Sequence, residues 1–235
     1  MCGRLGIYLL PHLIAQLFRA GYAPDPRVQP TWNFAPSEHA MVVVRDAEIE
    51  ARRLERLQWG FVPGWATDPA RMRRPINARS DTVMSSGLFK EAFARRRCLV
   101  PAANFYEWKA LPGRRSKAPY AIARADGRPL ALGGVWDVWH HPDGGQTLRT
   151  FAIVTTNANR EMAPIHHRMP LVLEEADWPV WLGEADGNPA ALLRPARDAV
   201  LRTWPVSPKV NSPANDEPEL LARATEPEQD ALPLA

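Results

Sequence analysis

Cys2 has the clearest capacity for covalent chemistry in this sequence, because it directly follows the initiator Met1. Methionine aminopeptidase removes Met1 when the next side chain is small, which would leave Cys2 with a free α-amine beside its thiol. The reference pKa is about 8 for an α-amine and about 8.5 for a thiol, so both groups are partly deprotonated at neutral pH. A mature N-terminal cysteine is therefore a double nucleophile.

Such a 1,2-aminothiol reacts with aldehydes in two steps. The amine forms a Schiff base, and the neighbouring thiol then closes a thiazolidine ring with an effective molarity of roughly 10⁵ M or more. Position 2 alone would favour an unreactive cysteine. The next two residues favour the reactive one, because Gly3 allows close approach of a ligand and Arg4 offers a cation to a phosphate.

Length and composition predict one α+β domain around these residues. The chain has 235 residues, 46% of them hydrophobic, which is enough for one substantial core. Alternating apolar residues predict strands at 41–45, 52–59, 98–100, 105–108, 120–123, 130–139 and 150–155. Helices are expected at 13–18, after Ser85 or Ser86, at 174–182 and at 190–193. This pattern favours a curled, barrel-like antiparallel β-sheet flanked by short helices.

Charge is unevenly distributed along the chain. The net charge is +3, but six acids and one base follow position 212, so the preceding body carries +8. A basic body favours an anionic partner such as nucleic acid, although a solvated cationic surface has the same composition. We predict a domain over residues 2–216 and an acidic, flexible tail over residues 217–235. The candidate phosphate-binding clusters are Arg71-Arg73-Arg74, Arg95-Arg96-Arg97 and Arg114-Arg115-Lys117.

Cysteine and histidine usage argues against disulfides, metals and cofactors. Cys2 and Cys98 are too few for a disulfide framework, no CxxC pair predicts zinc, and Cys98 reads as a buried strand residue. Adjacent side chains such as His166 and His167 seldom converge on one ion. No apolar run is long enough to span a membrane, and polar residues interrupt 5–18, so we expect a cytoplasmic protein without a signal peptide.

Six short motifs are spread in order over nearly the whole chain. They are Met1-Cys2-Gly3-Arg4, Trp32-Asn33-Phe34-Ala35-Pro36, Trp59-Gly60-Phe61-Val62-Pro63, Ile76-Asn77-Ala78-Arg79, Phe105-Tyr106-Glu107-Trp108 and Ile165-His166-His167-Arg168-Met169-Pro170. Together they resemble the SOS response-associated peptidase (SRAP) family, also called abasic site processing proteins. Weaker matches are Pro205-Val206-Ser207 and Val210-Asn211.

The resemblance implies a DNA damage function. Members of the family act on abasic sites in single-stranded DNA, bond the ring-opened deoxyribose aldehyde as a thiazolidine, and shield the lesion. The family's peptidase name comes from interpreting Met1 loss as autoproteolysis, and hydrolase, protease or lyase activity is a further expectation. We expect a monomer that joins the nucleoid after damage, with abasic single-stranded DNA as its partner.

Roles for individual residues follow from the resemblance. The catalytic candidates are Cys2, Asn77, Glu107 and His166, with Glu107 and His166 as proton carriers and Asn77 as a partner of the sugar or the cysteine amine. Candidates for DNA contact bind phosphates, support the pocket or stack on bases. They are Arg4, Asn33, Trp59, Trp65, Arg79 and Arg168.

Three other functions remain open at this point. Glutamine amidotransferases with an N-terminal nucleophile also begin Met-Cys-Gly, but Arg4 stands where they usually have an apolar residue, and their later Asn-Gly and Gly-Asp motifs are missing in the expected context. A peptidase could use Cys2 with His166. A noncatalytic module would bind single strands without forming any bond to them.

Overall fold

The computed structural model describes residues 2–25, 27–46, 48–113, 115–145 and 147–225. In these ranges the chain forms twelve strands and three α-helices. The strands are β1 (Leu5–Ile7), β2 (Thr31–Phe34), β3 (His39–Asp46), β4 (Ala51–Trp59), β5 (Asn77–Arg79), β6 (Arg97–Ala102), β7 (Asn104–Ala110), β8 (Lys117–Arg124), β9 (Leu130–His140), β10 (Thr147–Asn157), β11 (Arg168–Pro170) and β12 (Leu201–Pro205). The helices are α1 (Pro11–Phe18), α2 (Lys90–Arg95) and α3 (Trp178–Leu182), with short 3₁₀ turns at Glu175–Asp177, Pro189–Leu192, Pro208–Asn211 and Pro218–Leu221.

Five of the strands close into a barrel. Antiparallel pairs join β4 to β3, β3 to β6, β6 to β9 and β9 to β10. Strand β10 then returns to β4 in parallel, with Thr150 opposite Gln58. The barrel-like α+β fold is thus confirmed, but the sheet is not purely antiparallel, because both β4 and β5 run parallel to β10.

Strand β10 continues past the barrel and carries two short strands. Its residues 153–155 pair with β5, and its residues 155–157 pair with β11. An 11-residue strand is longer than the barrel wall needs, so its end is free to hold both additions. This extension places β5 and β11 on opposite edges of β10 at the end of the barrel.

A second, open sheet has the strand order β12-β8-β7-β1-β2 and lies against the barrel. Successive side chains of a strand point to opposite faces. In β7, Phe105 therefore faces inward into a core shared with barrel residues such as Val42 and Val100. Glu107 lies on the same inward face, two residues further along.

The C-terminal segment covers the outer face of this open sheet. Leu220 is buried with Tyr106 and Val210, and the Ala224 N–H donates to the Pro205 carbonyl at 2.9 Å. The prediction of a flexible tail from residue 217 is therefore wrong for residues 217–225, which pack on the domain. Residues 226–235 lie outside the described residues.

Two helix boundaries differ from the sequence prediction for local reasons. Helix α1 begins at Pro11, two residues before the predicted start, because proline is favoured in the first turn of a helix; it ends at Phe18, where Arg19 takes a left-handed conformation with φ of 51°. The helix expected at 174–182 begins as a 3₁₀ turn and becomes α3 only at Trp178. No α-helix within the described ranges is long and apolar enough to cross a membrane.

Candidate active site

Cys2 lies just before β1, where the open sheet meets the barrel. Its exposed fraction is 1%. The Tyr106 N–H donates to the Arg4 carbonyl at 3.0 Å, which continues the pairing of β1 with β7 towards the N-terminus. Because Glu107 follows Tyr106 in β7, this pairing brings the carboxylate close enough to influence the Cys2 thiol electrostatically.

Asn77 reaches the same place from the barrel side. Its Nδ2 donates to the Cys2 carbonyl oxygen at 2.9 Å. Strand β5 holds Asn77 there through its parallel pairing with β10, in which Asn77 is opposite Ile153. The Asn77 Oδ1 is buried and accepts no hydrogen bond within the described part of the chain. That oxygen is therefore available to a donor such as an amine or a sugar hydroxyl.

Glu107 and His166, the two predicted proton carriers, lie next to each other. Glu107 is 3% exposed, and its Oε1 lies 3.7 Å from the His166 Nδ1. His166 comes from the turn between β10 and β11, which is closed by its own N–H donating to the Met162 carbonyl at 2.9 Å. The ring of His166 also stacks on that of His167, with centroids 4.4 Å apart.

Burial controls the protonation of this site. It raises the pKa of the Cys2 thiol far above its ordinary value, and the negative charge of Glu107 raises it further. Burial also lowers the pKa of His166, although the Glu107 charge opposes this. At neutral pH the Cys2 thiol is therefore protonated and the His166 imidazole is neutral.

The backbone of Arg168 contacts the His166 ring through both its N–H and its carbonyl group. The Arg168 N–H lies 3.0 Å from the His166 Nδ1, and a neutral ring can accept this hydrogen bond only if its proton is on Nε2. A proton on Nδ1 would instead be donated to the Arg168 carbonyl at 3.2 Å. Nδ1 can thus act either as acceptor or as donor towards the backbone of Arg168, and the Glu107 Oε1 lies 3.7 Å from the same nitrogen.

The structure thus brings together all four catalytic candidates that the sequence predicted. Cys2 and Glu107 come from the open sheet, and Asn77 and His166 come from the segments beside β10. The arrangement supplies a nucleophile, a carboxylate, an imidazole and an orienting amide. Across the described residues, no group of three or more His, Cys, Asp or Glu side chains could hold a metal ion.

Two of the predicted phosphate-binding arginines lie at the edge of this site. Arg79 is exposed, and its Nε and Nη2 donate to the two carboxylate oxygens of Asp81 at 3.0 and 2.6 Å. Arg168 is 2% exposed and donates to the Asn157 Oδ1 at 3.1 Å and to the Thr155 carbonyl. Arg168 is therefore buried and held by oxygens of the protein, which corrects its prediction as a direct DNA contact, although its charge still reaches the position of the Asp81 carboxylate, 3.8 Å away.

Arg4 and Asn33 also have internal partners. The Arg4 Nη1 donates to the Asn33 Oδ1 at 2.8 Å and to the Val210 carbonyl at 3.0 Å. The Asn33 Nδ2 in turn donates to the carbonyls of Ser212 and Asn215 at 2.9 and 2.7 Å. Asn33 is 1% exposed, so it ties the N-terminus to the C-terminal segment and is misplaced as a DNA contact.

The two predicted stacking tryptophans differ in exposure. Trp59 has no exposed surface, stacks between Phe34 and Phe151, and donates from Nε1 to the Ile76 carbonyl at 2.9 Å. It is a core residue and cannot stack on a base, which corrects that prediction. Trp65 is 59% exposed on the loop that follows β4, so it remains a candidate for stacking.

The basic clusters also separate by environment. In the cluster at 95–97, Arg96 pairs with Asp137 at 3.0 Å, and Arg97 donates to the Phe93 and Trp181 carbonyls. These two side chains stabilise the fold. The cluster at 71–74 is more accessible, with Arg71 89% exposed, and Arg115 and Lys117 are exposed, whereas Arg114 lies outside the described residues.

Asp81 is a residue of this region that the sequence analysis missed. Besides its two contacts with Arg79, its Oδ2 lies 3.8 Å from the Arg168 Nη1. The turn after β5 folds the chain back towards the strand, with the Val83 N–H donating to the Arg79 carbonyl at 2.8 Å. The only sequence signal was the position of Asp81 two residues after Arg79.

The fold and this site define a protein of the SRAP type. The family described as SOS response associated peptidase (SRAP) matches residues 1–213. The chain therefore belongs to the SRAP family, as its motifs predicted.

Individual relatives agree with this assignment. The abasic site processing protein YoqW of Bacillus subtilis is 33% identical, over 94% of this chain and 99% of its own length. The abasic site processing protein HMCES of Gallus gallus is also 33% identical, over 94% of this chain and 77% of its own length. A crystal structure of a protein from Bacteroides thetaiotaomicron shares the fold, with a TM-score of 0.85 at 22% identity, and covers 95% of this chain and 100% of that one.

Proposed function

We propose that this protein processes abasic sites in single-stranded DNA by bonding them covalently to Cys2 after Met1 has been removed. The observation that carries the proposal is the position of Cys2, held by Asn77 and placed beside the Glu107–His166 pair. Two relatives whose alignments cover 94% of this chain are named abasic site processing proteins, which supports abasic DNA as the partner.

The proposed reaction begins at the α-amine. It adds to the C1′ aldehyde of the ring-opened deoxyribose, and the carbinolamine loses water to give an imine. The thiol then adds across the C=N bond, so that sulfur bonds to carbon and the thiol proton ends on the ring nitrogen. One water is released in total, no electrons are transferred, and the product is a thiazolidine.

Each neighbouring residue has a role in this sequence. Glu107 and His166 pass the protons that carbinolamine dehydration and thiol addition require. Asn77 holds the Cys2 carbonyl, which fixes the rotation of the amine and thiol towards the aldehyde. Burial of the thiol suits this route, because a neutral thiol stays protonated until the imine is formed beside it.

A peptidase that uses Cys2 and His166 is the alternative that the family name suggests. Cysteine peptidases act through a thiolate whose pKa is lowered by its surroundings. Burial and the Glu107 charge instead raise the pKa of the Cys2 thiol. The electrostatics of the site therefore favour ring closure on an aldehyde over peptide hydrolysis.

The direct test is crosslinking to a single-stranded oligonucleotide that carries one abasic site. We expect the wild-type protein to shift on a denaturing gel and to gain the mass of the oligonucleotide minus one water. Cys2→Ala should form no durable adduct. Cys2→Ser still allows Met1 removal and keeps the amine, so it should form only an imine, which is lost unless it is reduced with borohydride.

Cys98→Ala is the matched control, because Cys98 is equally buried and lies in β6. It should crosslink at the wild-type rate. Equal, reduction-independent crosslinking by Cys2→Ala would defeat the proposal, as would full activity of a protein whose Met1 remains in place by intact mass.

A further inference from the structure

Asp81 stands in an unusual electrostatic position at the edge of the site. Its carboxylate receives a forked pair of hydrogen bonds from Arg79, at 3.0 and 2.6 Å. The guanidinium of Arg168 lies 3.8 Å from the same carboxylate. One anion thus lies between two cations, and the group as a whole retains a positive charge.

The strands connect this group directly to the catalytic residues. Arg79 is two residues from Asn77 in β5, so the two side chains share one face of the strand. Arg168 is two residues from His166, and its backbone N–H holds the His166 ring. An anion between Arg79 and Arg168 therefore lies next to the place where the aldehyde of the DNA must enter to react with Cys2.

The forked geometry matches what a guanidinium uses to bind phosphate. Arginine recognises carboxylate and phosphate with the same two parallel N–H donors. A phosphate could also replace the carboxylate at Arg79, because the side chains of Arg79 and Asp81 are 52% and 49% exposed to solvent. A phosphate from solution can therefore reach Arg79, provided that it displaces the carboxylate.

We propose that Asp81 sets the DNA affinity of this protein by occupying the anion position between Arg79 and Arg168 that a backbone phosphate must take. This inference rests on the proposed function, since it presumes that single-stranded DNA is the partner. To bind here, an undamaged strand must break the Arg79–Asp81 ion pair, and it gains only a noncovalent phosphate contact in exchange. A strand with an abasic site carries the same cost, but its covalent bond outweighs that cost, so durable complexes are confined to lesions.

The test is equilibrium binding of Asp81→Asn to an intact oligothymidylate across a range of salt concentrations. The asparagine preserves the size of the side chain and removes its charge. We expect affinity at low salt to increase about two- to fivefold, the scale of an exposed, well-aligned ion pair. In the wild type, Asp81 binds a cation once a DNA phosphate has displaced it from Arg79. This uptake offsets part of the counterion release that accompanies DNA binding. The slope of log affinity against log salt should therefore steepen by about 0.7, one phosphate contact, in the variant.

Glu175→Gln is the matched charge control. Glu175 is an exposed carboxylate that pairs with Arg19 at 3.0 Å, on residues that contribute nothing to the site. This variant should bind within about twofold of wild type, because bulk charge effects are screened by salt. Arg79→Ala provides the second control, since the gain from Asp81→Asn should vanish in that background.

The outcomes separate the inference from the proposed function. If wild type crosslinks abasic DNA but Asp81→Asn binds intact strands no better than Glu175→Gln, or worse than wild type, the role of Asp81 is overturned alone. If wild type forms no adduct but Asp81→Asn shows the expected gain and salt slope, the covalent proposal fails and the phosphate competition stands. Absence of single-strand binding in every variant overturns both.

Discussion

Replacement of Glu107 by glutamine removes one charge from the site and barely changes its shape. In the proposed reaction the thiol proton passes to the Glu107–His166 pair, whose nearest atoms are 3.7 Å apart. At that separation and an effective dielectric near 20, a fully charged pair gains about 4 kcal/mol. A transition state with the proton half transferred gains about 2 kcal/mol, so Glu107→Gln should slow adduct formation about 30-fold.

Single-turnover crosslinking measures this effect. Protein in excess is mixed with the abasic oligonucleotide, quenched at intervals and resolved on a denaturing gel. Reversal is followed separately, by dilution of the adduct into unlabelled abasic competitor. Glu175→Gln makes the same chemical change at an exposed pair outside the site and should keep the wild-type rates.

The pKa of His166 is an independent measure of the charge on Glu107. Burial lowers its pKa below the ordinary 6.5, whereas the Glu107 charge raises it. Removing that charge should therefore lower the His166 pKa further, so that the ring stays neutral to lower pH. An NMR titration of the imidazole in both proteins would reveal this. A higher pKa in Glu107→Gln, or rates within twofold of wild type in both directions, would refute the reasoning.

Three further predictions concern residues that differ in how deeply they are buried. Trp65→Ala should weaken binding to intact single strands by about 5- to 150-fold, the effect of losing one stacked base, without lowering Tm; unchanged affinity would remove Trp65 from the interface. Trp59→Ala should instead destabilise the fold by about 3–5 kcal/mol. Asn33→Ala leaves the Ser212 and Asn215 carbonyls without their hydrogen-bond donor. We therefore expect the free energy of unfolding to fall by about 3 kcal/mol and the Tm in a thermal melt to fall by about 6–12 °C. An unaltered Tm would contradict the role of Asn33 in holding the C-terminal segment.

The sequence predicted the long strands and missed the short ones. The predicted strands at 105–108, 130–139 and 150–155 lie within β7, β9 and β10, which span seven to eleven residues. Strands β1, β5 and β11 have three residues each, too few for a period of two to be visible. They are strands only because longer neighbours pair with them, yet they position all the catalytic candidates except Glu107.

Site residues divide in the same way. The reactive types at Cys2, Glu107 and His166 were evident from chemistry and from motifs. Arg168 and Arg79 looked equivalent in the sequence, but one is 2% exposed and the other is exposed beside Asp81. Nothing local distinguishes them, because their exposure depends on how β5 and β11 dock on β10.

The amino-acid sequence alone was enough to identify the family and to predict Cys2 as the nucleophile. An amine next to a thiol is reactive because of its covalent structure, which needs no folding. Tertiary structure alone decided which charges are free and how the thiol is protonated. Those properties depend on burial and on distances between groups far apart in the chain, such as Cys2 and Glu107, and no local pattern of residues encodes them.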